Sequence, residues 1–236
     1  MYLNTMRILV KFPTRGRPAK FSDTFARYVD YADDPSNIHF LVTMDSDDKT
    51  VTMDLINRTI NKHPSTQIFV RRSGNKITAI NRDMQEAPPF DILLLASDDM
   101  IPQMKGYDTI IRKKMQEHFP DTDGVLWFND GYQRNRLNTL CILGRKYYQR
   151  FGYIYNPSYK TVYCDNEFME TASKLKRQVY DPRVIIKHMH PDFGQTHVDE
   201  TYMKNLSGID DDQRTYLRRK ARGTGFMLPL VRIRGF

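Results

Sequence analysis

Acidic residues recur in this 236-residue chain at the points where apolar runs stop. Asp45, Asp47 and Asp48 follow Ile38-His39-Phe40-Leu41-Val42-Thr43, Asp98 and Asp99 follow Ile92-Leu93-Leu94-Leu95-Ala96, and Asp130 follows Trp127-Phe128-Asn129. Adjacent carboxylates repel unless a cation stands between them, and all-oxygen ligation suits Mg²⁺ or Mn²⁺ bridging to substrate phosphates. Loop polarity accounts for Asp47 and Asp48, whereas Ser97-Asp98-Asp99, directly after an apolar strand, reads as a metal-binding end. His188 and His190 flank Met189, and an extended backbone points both imidazoles to one side. One of them can complete the coordination of an ion at Asp98 and Asp99.

Asp165-Asn166-Glu167 opens a helical segment, where carboxylates serve as caps and complement the helix dipole. An acid on the acceptor side of a metal and nucleotide site also has the chemistry to deprotonate a hydroxyl, with Asp165 as the candidate base and Glu167 as its competitor. Arg15-Gly16-Arg17-Pro18 matches the core of a minor-groove hook. Such a hook belongs on a flexible tail, and this one lies between a strand and its helix, so it reads as a phosphate- or nucleotide-facing loop. Its single glycine argues against a nucleotidyltransferase, whose glycine-rich loop closes on a triphosphate.

The elements that must position these residues alternate. Arg7-Ile8-Leu9-Val10-Lys11-Phe12 has the pattern of a buried strand stopped by Pro13. Pro18 then suits a first helical turn, and Phe21, Phe25, Val29 and Ala32 form one apolar stripe. Strand-like segments recur at 38–43, 67–70 and 91–96, with helical patterns at 51–60 and 76–86 between them. Beyond Pro102 a helix at 107–119, a strand at 124–128, a further strand within 137–143, a helix over 164–179 and a short strand at 184–186 are expected. Such alternation implies a mostly parallel twisted sheet flanked by helices, with ligands beyond the carboxyl ends of its strands.

Composition excludes other classes. Apolar content of 40% and charged content of 27% are those of a globular chain, and no apolar run approaches the roughly 20 residues that span a bilayer. Cys141 and Cys164 do not make a disulfide framework, so a reducing cytoplasmic setting is expected. The formal net charge is +8, and residues 214–236 hold seven Lys/Arg and no acid, leaving the rest near neutrality. This basic end could touch phosphate in nucleic acid or on a membrane surface, the latter aided by the apolar run Phe226-Met227-Leu228-Pro229-Leu230-Val231.

In this order, the loop after the first strand, Asp45, Asp98-Asp99, Asp165 and the His-x-His resemble the GT-A glycosyltransferases, family 2 in particular. The similarity covers residues 6–191, and its most specific stretch runs from Asn81-Arg82-Asp83 through Phe90 to Asp99. Ser97 departs from the family's DxD-type motif by replacing its first acid. The resemblance implies a GT-A domain over residues 1–191 and a basic extension over 192–236, packed on or near the active site. It implies a nucleotide-sugar donor, UDP-linked by preference, with Pro13, Thr14, Arg17, Asp45, Asn81, Asp98 and Asp99 in its site. Mn²⁺ or Mg²⁺ would be held by Asp99 with His188 or His190, and Asp165 would act as base in an inverting transfer. Asn129, Asp130 and Gly131 would face acceptor or sugar. The acceptor stays open between a glycan, a lipid-linked sugar and a modified DNA base. The competing class is a catalytically inactive GT-A-like module that binds nucleic acid or protein.

Overall fold

The computed structural model describes residues 6–189 and 208–223. Its main sheet has seven strands: β1 (Ile8–Thr14), β2 (Ile38–Met44), β3 (Thr66–Val70), β4 (Ile92–Leu95), β6 (Val125–Phe128), β7 (Ile142–Gly144) and β8 (Gln178–Asp181). They lie in the order β3-β2-β1-β4-β7-β6-β8. The first four are parallel, β7 runs antiparallel to both its neighbours, and β8 is parallel to β6. Two short strands outside it, β5 (Met100–Pro102) and β9 (Ile186–His188), pair antiparallel with each other. Because the strand period is two, β1 divides its side chains between two cores. Ile8, Val10 and Phe12 pack with helices α1 (Pro18–Asp30) and α4 (Tyr107–His118). Leu9, Leu41, Leu93 and Leu95 pack on the other face with α3 (Lys76–Asn81) and α6 (Cys164–Lys174).

Several expected boundaries move, each for a local reason. Pro13 does not stop β1 but lies inside it, opposite Thr43. Lys11, two residues earlier and facing the same way along the ladder, ends the pairing with β4, and its carbonyl accepts from Ala96 N–H at 2.8 Å. The donor that proline lacks therefore points where β4 has already left. The helix expected over 76–86 ends at Asn81, because Asp83 is left-handed (φ 65°) and a 3₁₀ turn follows at Met84–Glu86. The helix expected over 164–179 ends at Lys174, Lys176 turns left-handed (φ 55°), and β8 takes the following residues. The strand expected at 184–186 lies at Ile186–His188, and the strand expected within 137–143 lies at Ile142–Gly144. Helices α2 (Met53–Lys62), α5 (Arg145–Phe151) and α7 (Ile209–Ala221) complete the described elements, α7 falling in what reads from sequence as a basic tail. No described helix is long and apolar enough to cross a membrane.

Lys11 is the odd member of the second core: it is fully buried in the middle of the sheet. Its ammonium donates to Thr43 Oγ1, which donates to Asp83 Oδ2 at 2.9 Å, and Asp83 also pairs with Arg71 at 3.2 Å. Burial pulls the Lys11 pKa down to about 7, with the charge of Asp83 opposing and that of Arg82 assisting. A lysine whose folded pKa lies below its unfolded one leaves the unfolded chain holding more protons between about pH 7 and about 10.5, so stability rises with pH across that window. Urea midpoints taken at about pH 7 and about pH 9.5 should therefore rise for the native chain relative to Lys11→Met, which lacks the titrating group.

Candidate active site

The carboxyl ends of β1, β2 and β4 open on one crevice. β1 delivers Pro13 and Thr14, in register with Thr43 and Met44, and then Arg15 and Arg17. Arg15 bridges to the loop after β2, contacting Asp45 at 3.0 Å and Asp47, while the Gly16 N–H donates to Asp48 at 2.6 Å. Asp45, only 8% exposed, also accepts from Ser73 N–H at 2.7 Å, which ties β2 to the loop after β3. Asp47 and Asp48 are thus partners of the first loop.

The two acids after β4 part company. Asp98 turns inward to Arg17 Nη1 at 2.9 Å, and its backbone carbonyl accepts from Thr24 Oγ1 at 3.0 Å. Burial, reinforced by the charge of Asp99, pushes its pKa up to about 6 against the pull of Arg17. Asp99 faces His188, with Oδ2 and Nε2 3.8 Å apart, and accepts from Ser97 Oγ. Burial alone would raise its proton affinity, but the neighbouring His188, the Ser97 hydroxyl and the charge of Lys76 hold it well below the usual carboxylate range. The β5·β9 ladder makes this meeting possible, because it pairs Met100 with His188 while Met189 N–H donates to the Asp99 carbonyl at 2.8 Å. His190 lies outside the described residues.

Two ligands about 2.1 Å from one octahedral Mg²⁺-sized ion stand about 3 Å apart when cis and about 4.2 Å apart when trans. The 3.8 Å between Asp99 and His188 lies between the two, so a small side-chain adjustment brings the pair to either. Among the described residues no group of three His, Cys, Asp or Glu side chains converges as a cage. An ion here would take its remaining ligands from substrate phosphate, water or residues outside those described, as Mg²⁺ commonly does.

Asp165 sits in the first turn of α6, its Oδ1 accepting from Asn166 N–H at 3.0 Å. Burial raises its proton affinity, and the charges of Lys76 and His188 oppose this. The charge of Lys76 favours the ionised form of Asp99 as well. Glu167 is used otherwise: it accepts from Tyr159 Oη at 2.6 Å and Asn156 Nδ2 at 3.2 Å, and Arg219 grips both its oxygens at 2.7 and 2.9 Å. Both oxygens of this competitor for the base role are engaged in fixing α7 to α6.

Two further expectations meet a different geometry. Asn81 clamps a distant loop, donating to the Tyr155 carbonyl at 2.6 Å and accepting from Ile154 and Tyr155 N–H at 2.8 and 3.2 Å. Asp130, 1% exposed, caps its own loop through Tyr132 and Gln133 N–H and Thr139 Oγ1, while its carbonyl accepts from His188 N–H at 2.9 Å. Sequence reasoning passed over Lys76. A signal existed, because a lysine directly after the Asn75 N-cap stands against the dipole of its own helix, an arrangement with a cost unless an anion lies nearby.

The strand order, the crevice and the acids at its rim make this a GT-A-like glycosyltransferase fold, and solved structures match it. The mannosyltransferase PcManGT from Pyrobaculum calidifontis, in complex with GDP-Man and Mn²⁺, superposes at a TM-score of 0.67 with 15% identity, over 82% of this chain and 59% of that one. TarS of S. aureus matches at 0.61 with 12% identity, over 95% of this chain and 46% of its own. TarS 1-349 in complex with UDP-GlcNAc matches at 0.59 with 14% identity, over 85% and 64%. The chain therefore spans about three-fifths of the mannosyltransferase and less than half of the longer TarS chain. No protein-family model matches the sequence, and no curated protein matches it.

The Asn81 clamp yields a test independent of chemistry. Asn81→Ala removes one donor and one acceptor from a part-buried loop contact, so denaturant titration should show a loss of about 1–3 kcal/mol. Hydrogen exchange should quicken at Ile154 and Tyr155, whose N–H groups lose their acceptor.

Proposed function

We propose that the chain is a metal-dependent glycosyltransferase that moves a sugar from a nucleotide diphosphate sugar, UDP-linked by preference, to an acceptor hydroxyl with inversion. The observation that carries this reading is the placement of Asp99 after β4, 3.8 Å from His188, with Asp165 opening α6 and its proton affinity raised by burial. The first has the character of a metal ligand and the second that of a proton acceptor. Asp99 and His188 would hold Mn²⁺ or Mg²⁺, with His190 as a further candidate. The ion, when bound, supplies charge neutralisation for a departing diphosphate.

The chain's own residues do the rest. Pro13, Thr14, Arg17 and Asp45 line the crevice where the nucleotide would lie, and Arg15 holds Asp45 from the loop side. Asp98 keeps Arg17 in place instead of reaching the sugar. Asp165 takes the acceptor proton, its affinity for that proton strengthened by the scarcity of water around it. The fold likeness to enzymes solved with GDP-Man and with UDP-GlcNAc supports a nucleotide-sugar donor. The alternative of a DNA acceptor bound through the basic end is weakened by α7, in which Arg214, Arg219 and Lys220 already pair with Asp211, Glu167 and Glu170. The apolar run at 226–231 lies outside the described residues.

Thermal-shift and sugar-release measurements with UDP-GlcNAc, UDP-glucose and GDP-mannose, with and without Mn²⁺, test the reading. One donor should stabilise the native chain only with Mn²⁺, and Asp99→Ala should abolish that response. Asp165→Asn should keep it while slowing transfer by about 100-fold or more, the scale of general-base catalysis. Silence from every nucleotide, with and without metal, would sink the proposal in favour of a binding module.

A further inference from the structure

Asp165 depends on the turn that precedes it, and that turn is held from outside the sheet. Asp212 of α7 is 1% exposed and accepts from three consecutive backbone amides, Lys160 at 2.9 Å, Thr161 at 2.7 Å and Val162 at 2.9 Å, and from Thr161 Oγ1 at 3.2 Å. The next residue, Tyr163, is left-handed (φ 61°, ψ −7°), a conformation that a bulky non-glycine residue keeps only when its surroundings impose it. Its ring is stacked on Tyr216 of α7, with centroids 5.5 Å apart and planes inclined by 24°. Cys164 and Asp165 follow directly as the first residues of α6.

The same loop reaches the other side of the site. The Lys160 carbonyl accepts from Ile77 N–H at 3.2 Å, and Ile77 adjoins Lys76, whose charge acts on both Asp99 and Asp165. Further along α7, Arg219 grips Glu167 while Tyr216 and Lys220 both donate to Glu170, so α7 holds α6 along its first two turns. Mere packing would need neither a buried carboxylate collecting three amides nor a strained residue beside the site.

From these contacts we propose that α7 is the element that aims the proton-accepting carboxylate, with Asp212 as its positioning residue and Tyr216 as its second support. This rests on the assignment of Asp165 as base. With Asp212 removed, residues 160–162 lose their common acceptor, Tyr163 relaxes toward right-handed backbone, and the first turn of α6 swings Asp165 out of line. Asp45, Asp99 and His188 are carried by the sheet and by β9, so the donor end of the crevice stays intact. The defect is one of turnover, not of donor binding.

The test uses the full chain, with UDP plus Mn²⁺ as the binding probe and sugar release from UDP-GlcNAc or GDP-mannose as the turnover probe. Asp212→Ala should quicken hydrogen exchange at residues 160–163 and at Ile77, keep UDP·Mn²⁺ affinity within about twofold, and lower kcat by about tenfold or more at little-changed donor KM. Asp212→Asn, whose side-chain oxygen can still accept from these amides, should keep much of the kcat that Asp212→Ala loses. A purely structural role for Asp212 predicts instead a fall in Tm with kcat of the folded variants unchanged. Tyr216→Leu, which leaves Asp212 in place, should lower kcat by about threefold to tenfold and carries the test if Asp212→Ala does not fold. Arg214→Ala, on the exposed face of α7, should change nothing. A wild-type chain that neither binds UDP·Mn²⁺ nor releases sugar overturns the transferase reading itself. A wild type that does both, beside an Asp212→Ala variant that does both equally well, overturns only the role given to α7.

Discussion

Asp98 and Asp99 are neighbours on the chain and both are largely withdrawn from water, so their charges bear on each other with little screening. The structure eases the conflict with two basic side chains. Arg17, from the loop after β1, holds Asp98 at 2.9 Å and stands 3.9 Å from Asp99, and His188, from β9, faces Asp99. The division is unequal: Asp98 is left the readier to accept a proton and Asp99 the more firmly ionised. The parallel half of the sheet brings Arg17 to the crevice, and the two-stranded β5·β9 ladder brings His188. Lys76 then extends the positive environment to Asp165, so three acids on two segments are met by basic side chains from three others.

The parallel strands and the acids at their ends were legible because each is a local pattern. An apolar run followed by aspartate needs no distant partner to be recognised, and Asp45, Asp98 and Asp99 stand where such a pattern puts them, while Asp165 opens the helix its own segment suggests. What escaped was the destination of side chains. Lys11 sits in an apolar run, and nothing near it in sequence reveals Thr43 and Asp83, more than thirty and seventy residues away. Asn81 shows the converse: it belongs to the stretch that most resembles the family, yet its amide bonds to backbone seventy-three and seventy-four residues further on. Strand β5 is three residues long, too short for periodicity to show, and it exists because β9 pairs with it.

The basic end illustrates how composition misleads when pairing is unknown. Read as net charge, residues 214–236 suggest a polyanion. In place, α7 opens with Asp210, Asp211 and Asp212 and closes with Arg218, Arg219 and Lys220, the distribution that suits its own dipole. It is polar nearly all round, and such a helix persists when ion pairs and hydrogen bonds to a neighbour replace an apolar stripe. Glu167 and Glu170 provide that neighbour, which is why an acid that looked catalytic is an anchor.

The β5·β9 ladder also sets an order of assembly. Asp99 is in place once β4 has joined β1, a pairing among the first hundred residues, but His188 is eighty-nine residues later and reaches it only when β9 closes on β5. Contacts of such sequence separation form late, since the entropy of the intervening loop must be overcome first. A nascent chain that has folded its parallel half therefore carries Asp98 and Asp99 at the end of β4 with no imidazole beside them. The meeting of Asp99 with His188 therefore arrives only with the last strands, so this two-stranded ladder leaves the acidic end of β4 incomplete until most of the chain has folded.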